Sequence, residues 1–208
     1  MNVLILGATR GVGRQLLAQA LDAGHSVTAF ARTAGAIPAQ ARLTLVPGSV
    51  ADDAALLTET MRGQDVVVSA LGQGMSLKSE GLIARSVPPI LAAMHASGVR
   101  RLIFTSAIGV GDTIRDAPFL PRLLIRFLLK DIYADKIAGE RHLLVSDLDW
   151  TLVQPAELTD GPLTRQYRAG EHLALRGRPK ISRADTAHFI LSQLNDAVYR
   201  RKVVLISY

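Results

Sequence analysis

The chain has 208 residues, 49% of them hydrophobic and 20% charged, a composition that buries a sizeable core and argues against disorder. It has no cysteine, which excludes disulfides, thiolate metal sites and a cysteine nucleophile, and its five histidines (His25, His95, His142, His172, His188) lack metal-ligand spacing. The 24 Lys and Arg outnumber the 18 Asp and Glu for a net charge of +6; with only 5% aromatic residues, a phosphate-bearing cofactor fits that excess better than nucleic acid.

Short β-branched runs alternate with longer helical stretches, the pattern of a parallel sheet covered by helices. The spacing predicts strands at 3–6, 26–31, 43–46, 65–70, 101–106, 150–153 and 202–206. Helices are predicted over 11–23, from Asp52 or Asp53 to 61, over 80–97, 119–130 and 131–145, and from Ser182 or Asp185 to 194. Pro88-Pro89 predicts a kink or restart, because proline lacks the amide and clashes with the preceding turn. The stretch 156–180, with Gly161, Pro162, Gly170, Gly177 and Pro179, reads as a loop or short-strand excursion. No run reaches the ~18 apolar residues of a membrane span, and Met1–Gly7 reads as a strand rather than a leader. One domain over 1–208 is expected, in the cytoplasm, as a monomer or small homo-oligomer.

Gly7-Ala-Thr-Arg-Gly11-Val-Gly13 lies between the first strand and the first helix. Glycines there permit the tight turn, let the backbone approach a pyrophosphate and allow helix and strand to pack closely. The helix N-terminus adds amide donors and partial positive charge. Gly7, Thr9, Arg10, Gly11, Val12 and Gly13 are therefore expected to hold a pyrophosphate and the nearby ribose of a dinucleotide. A site selective for NAD carries an acid at the end of the second strand. This chain instead has Arg32, followed by Thr33, and a fixed-charge guanidinium there suits the 2′-phosphate of NADP(H). Thr33, Ser49 and Val50 are placed near the ribose and adenine. Ala70, Leu71 and Gly72 are placed along the nicotinamide half, with Pro155 at the far strand end.

These residues resemble the short-chain dehydrogenase/reductase superfamily. The closer likeness is to its atypical members, the NADP-dependent flavin reductases of the biliverdin-IXβ reductase type and the NmrA-like NAD(P)H-binding proteins. Four segments carry it: 7–13, 95–106, 148–155 and 158–164. The resemblance implies a Rossmann-type doubly wound parallel sheet with a small C-terminal elaboration, and NADP(H) as cofactor. The atypical group often has glycine where Arg10 stands and an acid where Ser49 stands.

By the same resemblance, Ser106 fits the catalytic serine and Lys136 the lysine that binds the nicotinamide ribose. In ordinary members the tyrosine precedes that lysine by four residues, whereas Tyr133 precedes it by three. On a helix that shift moves the side chain by about 100° and 1.5 Å. Reducing a carbonyl needs a well-aimed proton donor, but a flavin, quinone or tetrapyrrole spreads charge over a large π-system and can take its proton from solvent. The expected activity is hydride transfer to such an acceptor, in a pocket walled by 72–79, 108–119 and 155–162. Glu157 stands where biliverdin-reductase-like relatives carry histidine. Two other readings are a carbonyl reductase or sugar-nucleotide epimerase/dehydratase, and a non-catalytic NADP(H) sensor of the NmrA-like kind. The apolar stretch 119–130, with Arg122, Arg126 and Lys130, reads as a core or subunit-contact helix rather than a membrane-surface one. Six basic residues between Arg165 and Arg183, against Glu171 alone, form either a patch for anionic acceptors or a solvated face.

Overall fold

The computed structural model describes residues 1–72, 79–116, 118, 122–123 and 127–208. Its elements in chain order are β1 (Asn2–Leu6), α1 (Gly11–Asp22), β2 (Ser26–Ala31), β3 (Leu43–Pro47), α2 (Ala54–Met61), β4 (Val66–Ser69), α3 (Leu82–Ser97) and β5 (Arg101–Thr105). They continue with α4 (Lys130–Leu144), β6 (Asp149–Pro155), β7 (Glu157–Thr159), β8 (Arg168–Gly170), β9 (Lys180–Ser182), α5 (Arg183–Ser192) and β10 (Lys202–Ser207). Short 3-10 turns at Ala34–Ala36 and Gly111–Arg115 follow β2 and β5.

Among the described residues the main sheet has eight strands in the order β3-β2-β1-β4-β5-β6-β10-β8. Every pairing is parallel except β8 on β10. This is the Rossmann-type doubly wound sheet. Residue alternation along the strands splits the core in two. Val3, Ile5, Val66, Val68, Ile103 and Val153 face α1 and α5. Leu4, Leu6, Val67, Leu102, Phe104 and Leu152 face α2, α3 and α4. With both faces covered, the strands are apolar throughout rather than alternating.

The proline pair does not restart α3, which runs from Leu82 to Ser97 with Pro88 and Pro89 inside it. Pro88 is exposed, while Ile83, Ser86, Val87, Ile90, Ala93 and Met94 are buried on either side of the pair. Burial of that stripe outweighs the backbone hydrogen bonds forgone, as tertiary packing commonly outweighs local propensity. The Asp135 carboxylate supports the start of the same helix, accepting from the Ala84 amide at 2.8 Å and the Ile83 amide at 3.1 Å. The excursion 156–180 supplies β7 and β8 and leads into β9, and β7 and β9 pair in parallel. Of the predicted helix 119–130, residues 122, 123 and 127 are helical and 119–121 and 124–126 lie outside the described residues. Among the described residues no helix is long and apolar enough to cross a membrane.

Candidate functional site

Strand order reverses between β1 and β4, and the crevice outside their carboxyl ends is where open α/β sheets bind ligands. The backbone is unusually close here. Gly7 leaves β1 at φ +88°, and a Cβ on it would stand 2.9 Å from the Ala70 carbonyl oxygen. Gly13, in the first turn of α1, is tighter still, since a Cβ would stand 2.1 Å from the Gly7 carbonyl oxygen. Gly11 adopts φ +56° at the helix start. Arg10 precedes the helix in extended conformation without a side-chain cap, and the first turn holds no acidic residue. The end of α1 thus presents amide donors and the positive pole of its dipole to the crevice. These residues fit a dinucleotide: the cradle is one that side chains would fill, and its donors suit a pyrophosphate.

Arg32 and Thr33 lie exposed just beyond β2, and Arg10 is exposed on the glycine loop. Among the described residues neither arginine has an ion pair or side-chain hydrogen bond. Ser49 is engaged locally: its hydroxyl donates to Asp52 at 2.6 Å and its amide to Asp53 at 2.7 Å. Val50 beside it is buried. Ala70 and Leu71 are half-buried at the end of β4, and Gly72 is exposed. Residues 73–78 of the expected acceptor wall, with 117 and 119 of the next, lie outside the described residues.

The end of β5 carries Ser106, whose amide donates to the Val153 carbonyl at 2.8 Å and whose side chain is buried. Pro155 ends β6 beside it and accepts from the Ile108 amide at 3.1 Å. Ser106 and Lys136 bear on Glu140, a residue that sequence reasoning missed. Glu140 is only 4% exposed. Burial pushes its carboxyl up to about 7, while the Ser106 hydroxyl, the Lys136 ammonium and Gln154 pull the other way. The Ser106 hydroxyl has no hydrogen bond of good geometry, although it stands close enough to stabilise that carboxylate. Lys136 is itself pushed down by burial and held up by Glu140 and Asp135.

Gln154 braces the carboxylate, its Nε2 3.3 Å from Glu140 Oε2 and its Oε1 2.5 Å from Thr113 Oγ1. Thr113 also lies 2.8 Å from the Val110 carbonyl, so its single proton serves one acceptor at a time. On its outer side Glu140 lines a cleft of about 450 Å³ with Asp112, Asp116, Arg141 and His172. Tyr133 is turned elsewhere. Its phenol donates to the Ile108 carbonyl at 3.0 Å, and burial, reinforced by the Glu140 charge, pushes it up to about 12. Glu140 was findable, since it stands one helical turn after Lys136 on the same face. Gln154 and Thr113 leave no such signal.

Glu157 forms a two-point ion pair with Arg178, Oε1 lying 2.7 Å from Nη2. Several bases of the 165–183 run are likewise used internally. Arg183 pairs with Asp160, and Arg168 donates to the Tyr208 and Ala174 carbonyls.

A family described as NAD(P)H-binding matches residues 7–197, so the chain belongs to that family, and its fold is that of the short-chain-type oxidoreductases. It is 27% identical over 174 residues to the photosystem II assembly factor Ycf39 of Synechocystis sp.; the match takes in 80% of this chain and only 48% of that protein, about half its length. A short-chain dehydrogenase/reductase of Veillonella parvula, solved in complex with NADP, superposes with TM-score 0.83 at 20% identity, covering 100% of this chain and 94% of that one. ChuY, an anaerobillin reductase of Escherichia coli O157:H7, superposes with TM-score 0.81 at 22% identity over 99% of this chain and 96% of that one.

Proposed function

We propose that this chain is an NADP(H)-dependent reductase that passes hydride to an extended conjugated acceptor of the flavin, quinone or tetrapyrrole kind. The observation that carries the acceptor class is the engagement of Tyr133 with the Ile108 carbonyl. A phenol donating to a backbone carbonyl, and held far above neutrality, is a poor proton source for a developing alkoxide. A large π-system does not require one.

In this reading Gly7, Thr9, Gly11, Val12 and Gly13 hold the pyrophosphate, and Arg32, with Arg10, reads the 2′-phosphate. Thr33, Ser49 and Val50 flank the adenosine end. Ala70, Leu71, Gly72 and Pro155 line the nicotinamide end. When bound, the reduced cofactor supplies the hydride. Lys136 holds the ribose hydroxyls, and Glu140, ionised above about pH 7, offsets its charge in a buried setting. Ser106, whose hydroxyl lacks a well-aligned partner, orients the acceptor or the carboxamide. Tyr133 keeps the 108–110 turn in place rather than donating a proton. The description of ChuY as an anaerobillin reductase supports the reading of this chain as a reductase.

Steady-state NADPH oxidation with FMN, riboflavin, a quinone and a simple aldehyde tests the proposal. Turnover is expected with the conjugated acceptors and not with the aldehyde, and Tyr133→Phe keeps that rate within about twofold. A loss of about 10²-fold or more in Tyr133→Phe, or no turnover with any acceptor, contradicts it.

A further inference from the structure

Arg183 stands where the glycine loop and the C-terminal excursion meet. The parallel pairing of β7 with β9, from Glu157 opposite Lys180 to Thr159 opposite Ser182, delivers the first residue of α5 to the crevice. α5 then packs along α1, with Gln19 Nε2 donating to the Ala184 carbonyl at 3.0 Å. A Cβ built on Gly11 would lie 3.8 Å from Arg183 Nε and 3.9 Å from its Cδ, with nothing else among the described residues within 4 Å apart from its own chain neighbours and helix backbone. Gly11 is the middle glycine of the loop, the position where a missing side chain lets a pyrophosphate approach the backbone. The space that this glycine keeps open is therefore bordered by a guanidinium.

That guanidinium has a loosely placed partner. Its Nη1 lies 2.7 Å from Asp160 Oδ1, with the arginine side chain 28% exposed and the aspartate 90% exposed. An ion pair this open to water contributes little. A planar guanidinium, in contrast, matches two phosphate oxygens in parallel, and the uncapped end of α1 favours an anion at the same spot. A diphosphate seated there outcompetes one solvated carboxylate.

We propose that Arg183 is a further phosphate-binding residue of this site, exchanging Asp160 for the cofactor's diphosphate when nucleotide binds. The inference rests on the nicotinamide-cofactor reading and deepens it. It makes the C-terminal excursion part of the cofactor site and ties occupancy of the glycine loop to the Asp160–Gly161 stretch, within the segment expected to wall the acceptor.

Titration of the full chain with NADP⁺, ADP-ribose and adenosine 2′-monophosphate, the last lacking a diphosphate, separates the possibilities. Arg183→Gln is expected to weaken NADP⁺ and ADP-ribose by about tenfold or more while leaving adenosine 2′-monophosphate within about twofold. Asp160→Asn is expected to tighten the two diphosphates by about two- to fivefold, since it removes the competitor. Arg183→Lys, which keeps the charge and loses the planar fork, should fall between wild type and Gln, and thermal denaturation of each variant checks folding. The exchange is overturned if Arg183→Gln leaves all three affinities unchanged, weakens all three equally, or is matched by an equal loss in Asp160→Asn. Wild type that binds no dinucleotide defeats the cofactor reading itself, whereas wild-type binding untouched by Arg183→Gln defeats only the role of the arginine.

Discussion

Around β1 and α1 the site is shaped by backbone and by absent side chains. Gly13 would drive a Cβ to 2.1 Å from the Gly7 oxygen, and among the described residues Arg10 and Arg32 have no ion pair. Around α4, α5 and β6 the site is shaped by side chains that satisfy one another. Asp185, fully buried, accepts from the Thr164 and Arg165 amides at 2.9 and 2.7 Å and from the Thr164 and Tyr208 hydroxyls, each at 2.7 Å. Glu140 gathers Ser106, Lys136 and Gln154. The first region is built to receive charge from outside, and the second to hold its own charges in place. In the proposed reading the first region binds the cofactor and the second positions the chemistry, with the Ser106 hydroxyl the group left there without a well-aligned partner.

The sharpest way to break this contrast is at Gly13. Gly13→Ala forces helix and strand apart, at a cost of about 3 kcal/mol of stability, and it should abolish NADPH binding. Denaturant unfolding and nucleotide titration check it, and an alanine variant that retains both contradicts the backbone account.

A smaller effect is expected on the side-chain half. Burial pushes the Asp185 carboxyl up, but hydrogen bonds from Thr164, Tyr208 and Arg165 outweigh it and hold the group below the usual range. Its contribution is present above the unfolded value near ~3.9 and is lost as pH falls through the lower folded value. Asp185→Asn should therefore cost about 2 kcal/mol at neutral pH. Its stability curve should converge on wild type in acid, and a pH-independent difference would contradict the assignment.

The subtlest test is the slope at Glu140. Below pH 4.5 its carboxyl is protonated in both states; between 4.5 and about 7 the unfolded chain releases the proton and the folded chain keeps it. Stability conferred by this group is thus full below 4.5 and declines as pH rises to about 7. Glu140→Gln removes that decline, and urea unfolding across the window shows it. Parallel curves would mean that Glu140 is not held protonated.

The same division explains what could be read from the chain. β1 to β6 announce themselves through apolar runs, and the cradle through glycines whose spacing is itself the geometry, so Gly7, Gly11 and Gly13 were legible. Ser106 and Lys136 were reached through resemblance. Asp185 finds Thr164 across 21 residues and Glu140 finds Gln154 across 14, and pairings of that reach have no local periodicity to betray them. Arg183 belongs with these, since the β7–β9 pairing and the packing of α5 on α1 carry it back to Gly11. Of the kink or restart that Pro88-Pro89 signalled, the restart does not occur, because the buried stripe around the pair keeps the helix continuous.

The most direct measurement is a paired titration of wild type and Arg32→Glu with NADPH and NADH, followed by nucleotide fluorescence. Wild type should prefer NADPH by about tenfold or more, the worth of one charge-assisted contact, and the glutamate should erase or invert that preference. Equal affinities for the two cofactors in wild type, or a preference that survives the charge reversal, would contradict the account.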